Sequence, residues 1–198
     1  MFSITFIILI FPFMITKAAK FDIFVKSLRC YDINPKAFEN ASCILKVTRD
    51  TPTGLTKLKA DALGVSDIYL EFSMFYRYTG GFKPYLLSYS IDACDLVKHT
   101  TTIINHEFIR RFVFAFKSDF GEIFKGCPYN GHLESSWMDG NASFSSVLPP
   151  VIPQGRYKFI IRLSWLKQNE TICIIEFQSE VKPRKEFRDM DFSMLNMG

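Results

Sequence analysis

Residues 155–166 read G-R-Y-K-F-I-I-R-L-S-W-L, and this stretch decides the fold class. Apolar side chains occupy every second position, and the positions between them are polar except for Ile160. A period of two over this length is typical of an antiparallel strand with one buried face. Residues 167–170 then favour a turn and residues 171–181 a second strand, so this part of the chain predicts a hairpin.

The same period recurs earlier in the chain. Residues 67–78 alternate in the same way, a Gly-Gly pair follows them, and residues 85–91 are the expected return strand. Three further segments are strand-like, the last of them weakly: 21–31, 42–49 and 55–63. About seven short strands joined by turns predict an all-β chain that folds as a sandwich of two sheets. Residues 119–137 are expected to be irregular.

Residues 92–117 are the exception to the strand pattern. Most of their apolar side chains fit one helical stripe with charged residues opposite, which favours a helical insertion around residues 93–117. Phe112, Phe114 and Phe116 also fit a period of two, so a strand remains the alternative.

Residues 1–19 have the composition of a secretory signal peptide. Residues 4–15 form a hydrophobic run of 12 residues, whereas a spanning helix needs about 20, and Ala18-Ala19 offers a cleavage site. An uncleaved anchor is the alternative, because Lys17 follows the run instead of preceding it. We expect cleavage, a secreted extracellular protein, and no stable membrane insertion afterwards.

The remaining composition is that of one globular domain. The chain has 198 residues, 48% hydrophobic and 22% charged, with a net charge of +4. We expect a single domain over residues 20–181 and a poorly ordered tail over residues 182–198. Because acidic residues are interleaved with the basic ones, no nucleic-acid partner is expected. Three sequons predict solvent-facing glycosylation sites at Asn40, Asn141 and Asn169.

Five cysteines in an exported chain favour disulfide bonds, but the sequence leaves their pairing open. Cys30 and Cys43 lie near the facing ends of two candidate strands. Cys94 and Cys127 bracket the helical stretch and the irregular loop. Cys173 would then be a buried free thiol, with a bond to Cys30 or an intermolecular bridge as the alternatives.

No catalytic constellation emerges from the sequence. A metal site could be assembled only from His99, His106, His132 and Asp139, and surface histidines are the favoured interpretation. In an exported chain, Cys127 is expected to form a disulfide and not to act as a catalytic nucleophile. We therefore predict no enzymatic activity, no metal and no cofactor.

Aromatic residues make up 16% of the chain, and most of them are Phe. A sandwich whose sheets are held slightly apart leaves an apolar cavity between them, and a fully packed core is the alternative. The candidate lining residues are those on apolar faces: Phe72, Met74, Phe112, Phe116, Phe159, Ile161, Leu163 and Trp165.

Short motifs spread over about residues 25–170 form an ordered set. They are Cys30, then Phe38, C-x-L-K from Cys43, G-F-K-P-Y-L from Gly81, D-A-C ending at Cys94, C-P-Y from Cys127 and P-x-G-x-Y from Pro153. In this order and spacing they resemble a fly-expanded insect family of secreted proteins with a domain of unknown function. That family is itself distantly similar to ML-type lipid-recognition proteins, among them the ganglioside activator.

The resemblance implies an immunoglobulin-like, ML-like β-sandwich in which Cys30, Cys43, Cys94 and Cys127 are the structural cysteines. Cys173 departs from the pattern as an additional cysteine. We therefore expect a secreted, non-enzymatic protein that binds a small hydrophobic ligand, lipid or pheromone-like, between its sheets, with a chemosensory role. The alternative is an extracellular interaction module with a solid core that binds a receptor or another partner through its surface.

Overall fold

Two antiparallel sheets face each other in the computed structural model, which describes residues 21–98, 107–121, 126–149 and 152–184. The predicted signal peptide lies outside these residues, as does most of the predicted tail. Every strand pair is antiparallel. The expected fold class, an all-β two-sheet sandwich with a helical insertion, is confirmed.

The larger sheet has five strands. In spatial order they are β1 (Phe21–Tyr31), β9 (Thr171–Pro183), β8 (Gly155–Trp165), β4 (Ile68–Tyr78) and β5 (Gly81–Asp92). The register places Phe159 of β8 opposite Met74 on one side and Phe177 on the other. Their side chains lie on the same face, and all three are buried. The alternating pattern of β8 therefore builds the inner face of this sheet.

The smaller sheet covers part of that inner face. Its strands are β2 (Phe38–Lys46), β3 (Leu55–Val65) and β6 (Tyr129–Glu134), and the short β7 (Met138–Asp139) also pairs with β3. β6 lies within residues 119–137, which were expected to be irregular, so that expectation was wrong for β6; β7 follows directly after this stretch. Their short lengths and the intervening glycine give little alternation for sequence reasoning to detect.

Three helices complete the described structure: α1 (Ala93–Lys98), α2 (Glu107–Lys117) and α3 (Gly140–Val147). α1 and α2 lie in the expected helical insertion. In α2, Phe116 is buried while Phe114 is 70% exposed. A strand would place both on one face, so the helical interpretation is the correct one.

The third helix was not predicted. Asp139 caps it, and its Oδ1 accepts hydrogen bonds from the backbone N–H groups of Asn141 (2.8 Å) and Ala142 (3.4 Å). Asn141 Oδ1 accepts from the N–H of Ile23 at 2.9 Å, which ties α3 to β1. These tertiary and capping bonds hold a helix whose sequence, G-N-A-S-F-S-S-V, has little apolar periodicity.

Two disulfides join the layers. Cys30–Cys43 links β1 of the larger sheet to β2 of the smaller sheet, and Cys94–Cys127 links α1 to the segment before β6. They use the four cysteines that the resemblance implied to be structural. Cys173 is free and buried.

The P-x-G-x-Y motif positions the start of β8. Tyr157 Oη donates to the carbonyl of Pro153 at 2.6 Å, and Tyr76 Oη donates to that of Gln154 at 2.8 Å. A Cβ on Gly155 would lie 2.7 Å from Tyr76 Oη, and the residue has a φ of +142°. Glycine is required here because the tyrosine ring fills the space of a side chain.

Candidate ligand-binding site

Within the described residues, two neighbouring cavities lie between the sheets. The first has a volume of about 50 Å³ and is lined by Val25, Leu28, Thr56, Leu58, Phe116, Phe120, Met138, Gly140, Ser143, Phe144, Ile161, Ile175 and Phe177. The second has a volume of about 90 Å³ and is lined by Cys30, Phe38, Ala41, Ser42, Leu58, Lys59, Ala60, Phe120, Leu133, Glu134, Ser135, Leu163, Cys173 and Ile175. Both are lined mainly by apolar side chains.

The cavities lie end to end along the strand direction. Along β3, Thr56 lines the first cavity, Leu58 lines both and Ala60 lines the second. Along β9, the corresponding positions are Phe177, Ile175 and Cys173. Since successive inward positions on a strand are two residues apart, the two cavities form one row with a shared partition. Leu58, Ile175 and Phe120 make up that partition.

The inner end of the first cavity rests on a group of aromatic rings. The Phe144 ring from α3 lies 5.5 Å from that of Phe159 and 4.7 Å from that of Phe177, measured between centroids. The ring of Phe116 lies 5.4 Å from Phe144 and meets it edge-on. Such pairs are favourable arrangements of aromatic quadrupoles. They fill the space beside α3 and limit the cavity to its small volume.

The second cavity carries two polar groups of interest. Ser42 Oγ is buried and makes no hydrogen bond within the described residues. Burial raises the pKa of the Cys173 thiol to about 11, so the group is a neutral thiol at physiological pH. The lining of the second cavity is mostly apolar, with Lys59 and Glu134 as its charged residues. A mainly apolar cavity beside a hydroxyl that has no partner among the described residues fits an apolar ligand with a hydrogen-bonding end.

The sequence-predicted lining residues divide into three sets. Phe116 and Ile161 line the first cavity and Leu163 lines the second. Phe72, Met74 and Phe159 are buried core residues that line neither, and Trp165 packs partly buried against the second core cluster. The side chain of Phe112 lies outside the described part of the structure.

Sequence reasoning missed several lining residues. Leu58 belongs to the strand with the weakest pattern, Phe120 follows the predicted helix, and Phe144 belongs to the unpredicted α3. The apolar character of Phe120 and Phe144 was the one sequence feature that was consistent with a place in the cavity lining. Their position between the sheets depends on the tertiary structure.

His132 lies on the exposed face of the smaller sheet and lines neither cavity. Its Nδ1 lies 2.8 Å from Asp61 Oδ1, and its Nε2 lies 3.2 Å from Glu134 Oε2. Hydrogen bonding to these carboxylates, that to Asp61 being the larger effect, raises the pKa of His132. Among the described residues, no group of three or more His, Cys, Asp or Glu side chains is arranged to hold a metal ion. His99 and His106 lie outside the described residues.

The three sequon asparagines differ in their surroundings. Asn40 and Asn169 are exposed, and Asn40 Nδ2 donates to Asp61 Oδ2 at 2.8 Å. Asn141 is only partly exposed, and its amide bonds both Ile23 and Asp22 at the junction of α3 and β1. A glycan has more room on Asn40 and Asn169 than on Asn141.

The central part of the chain has known relatives. Residues 70–159 match the model of a family described as a protein of unknown function, DUF1091. This match confirms the resemblance to a family of unknown function that the motifs indicated. A search of curated proteins found no match.

A solved structure is also similar to this chain. It is a Niemann-Pick type C2 protein from the Japanese carpenter ant, with 11% sequence identity and a TM-score of 0.32. The match covers 80% of this chain and 92% of the ant protein. None of the helices within the described residues is both long and apolar enough to cross a membrane.

Proposed function

We propose that this protein binds a small apolar ligand between its two sheets, sequesters it from water and catalyses no reaction. The observation that carries this proposal is the row of two apolar cavities between the sheets. The driving force is the transfer of apolar ligand surface out of water, at about 25 cal/mol per Å².

A ligand needs more room than either cavity offers. Engineered apolar cavities of about 150 Å³ take up benzene, and ligand pockets usually exceed about 300 Å³. The cavities here are about 50 and 90 Å³. Ligand entry therefore requires side chains of the partition to move, and Phe120 is the partition residue that belongs to neither sheet.

The two disulfide bonds are consistent with an exported ligand-binding protein. Two disulfides are typical of proteins that fold in an oxidising compartment. We propose secretion after removal of residues 1–19, glycosylation at accessible sequons, and delivery of a lipid or pheromone-like ligand to an extracellular receptor in a chemosensory setting.

The proposal is tested on the full chain secreted from insect cells. Native mass spectrometry, with an organic extract analysed in parallel, identifies a ligand that co-purifies. Uptake of a fluorescent fatty acid measures binding by the emptied protein. Ala60→Leu places a larger side chain in the second cavity, whereas Ala142→Leu makes the same change at an exposed position on α3.

We expect the wild-type protein and Ala142→Leu to take up the fluorescent fatty acid equally, and Ala60→Leu to bind at least about tenfold more weakly. Melting curves show whether each variant is folded. Absence of both a co-purifying ligand and uptake by the wild-type protein overturns the proposal.

A second function is favoured by the small size of the cavities. The exposed Phe114 on α2 and Trp137 before β7, 70% and 44% exposed, are apolar groups that a protein partner could cover. An interaction module with a solid core predicts no uptake by any variant. It also predicts loss of partner binding in Phe114→Ala with unchanged stability.

A further inference from the structure

The partition between the two cavities is built from two residues of the sheets and one residue of a turn. Leu58 lies on β3, where its N–H donates to Ser135 Oγ at 3.0 Å and its carbonyl accepts from the N–H of Ser135 at 2.9 Å. Ile175 lies on β9 and is paired on both sides, with Cys30 and Ile161. The sheets therefore fix the backbone of both residues.

Phe120 enters the partition from outside the sheets. It lies in the turn that follows α2, and its N–H donates to the carbonyl of Phe116 at 2.9 Å. The preceding Asp119 holds this turn through its carbonyl and carboxylate, which accept from the N–H and hydroxyl of Ser136 at 2.9 and 3.0 Å. The turn is thus anchored by groups other than the Phe120 side chain, which can be shortened without removing these bonds.

The row has the dimensions of a narrow channel. The lining of β3 runs from Thr56 to Ala60, which at the usual rise of a strand spans about 13 Å. Each cavity takes up about half of that length. Apolar side chains from both sheets line it on opposite sides. Ser42, whose hydroxyl has no hydrogen-bond partner among the described residues, lines the second cavity.

We infer that the two cavities are halves of one site for an unbranched aliphatic chain with a hydrogen-bonding end group, and that Phe120 sets the chain length it accepts. This inference rests on the proposed function and names the ligand class and the specificity-determining residue. With the phenyl ring in place, a chain is confined to one half. Without it, the halves join and a longer chain fits.

The test compares straight-chain acids of increasing length. Butanoate, hexanoate and decanoate, which range from about the length of one half to about that of the joined row, compete with a fluorescent fatty acid for the wild-type protein, Phe120→Ala and the milder Phe120→Leu. Phe38→Ala is the matched control, because Phe38 lines only the second cavity and its removal enlarges that cavity without opening the partition. Melting curves accompany each variant.

We expect the preference for decanoate over hexanoate to rise about tenfold in Phe120→Ala, the equivalent of about two more buried methylenes. Phe120→Leu should show a smaller rise, and Phe38→Ala should keep the wild-type preference. An equal rise in Phe38→Ala, or no change in either Phe120 variant, overturns the role of Phe120 and leaves the proposed function standing. If none of the proteins binds the fluorescent fatty acid or any straight-chain acid, both are overturned.

Discussion

Gly140, the first residue of α3, lies against Val25 of β1, and its replacement by alanine tests this contact. Its N–H donates to the carbonyl of Gly54, the residue before β3, at 3.2 Å, and the neighbouring Thr53 carbonyl accepts from the N–H of Val25 in β1 at 2.8 Å. A Cβ at this position would overlap Cγ2 of Val25, which is only 2% exposed. A valine side chain has little freedom about χ1, so the overlap cannot be relieved by rotation alone.

The expected magnitude follows from these contacts. Overpacking of a core by one methyl group costs about 1–3 kcal/mol, and the better helix propensity of alanine offsets up to about 1 kcal/mol. Val25→Ala alone removes two buried methyl groups and should cost about 2 kcal/mol. In the double variant, the new methyl group at position 140 occupies space that Val25 has vacated. Its cost should therefore be smaller than the sum of the single costs by at least about 1 kcal/mol.

The assay is equilibrium unfolding in urea, followed by tryptophan fluorescence with both disulfides intact. The wild-type protein, the two single variants and the double variant complete the cycle. Gly80→Ala is the control, because a Cβ there would meet nothing within 4 Å, and it should leave the free energy of unfolding within about 0.5 kcal/mol. A neutral Gly140→Ala, or single costs that add within about 0.5 kcal/mol, would refute the argued overlap.

Two further predictions concern titratable groups. Cys173 is 4% exposed and its pKa is raised to about 11. A thiol reagent should therefore label it slowly in the native protein and completely after unfolding. Fast labelling of the native protein would contradict the burial of this thiol. His132→Asn should lower the melting temperature more at about pH 5.5 than at about pH 8.5. The pKa of His132 is higher in the folded than in the unfolded protein, so its protonated form stabilises the fold at a pH below the unfolded-state pKa, and this stabilisation is lost as the pH rises through the folded-state pKa. Asp61 and Glu134, whose pKa values are lowered, remain ionised at the lower pH. An equal loss of melting temperature at both pH values would show that these carboxylates do not stabilise protonated His132.

The strands could be predicted because their pattern is local. β8 begins at Gly155 and ends at Trp165, one residue before the predicted stretch ends, and β1 has the predicted bounds. β9 extends to Pro183, two residues beyond the predicted domain limit at residue 181. In contrast, α3 depends on the Asp139 cap and on its bond to β1, which join residues far apart in the sequence.

The candidate site was only partly predictable for the same physical reason. Ile161 and Leu163 were identifiable because alternation fixes which face of a strand they occupy. Alternation does not predict which inward side chains pack against a side chain of the opposite layer and which line a cavity. Phe159 shares the face of Ile161 but is covered by Phe144, so it is plain core.

The sheets and the helical segments contribute different parts of the candidate site. The sheets provide the two long walls, and the Cys30–Cys43 bond joins them beside the second cavity. The side chains that fill or divide the space, Phe116, Phe120 and Phe144, come from α2, the turn after it and α3. Substitutions in these segments can therefore change the capacity of the site while the strand pairing is kept. Substitutions on the inner faces of the strands alter capacity and stability together, since the same side chains form the core.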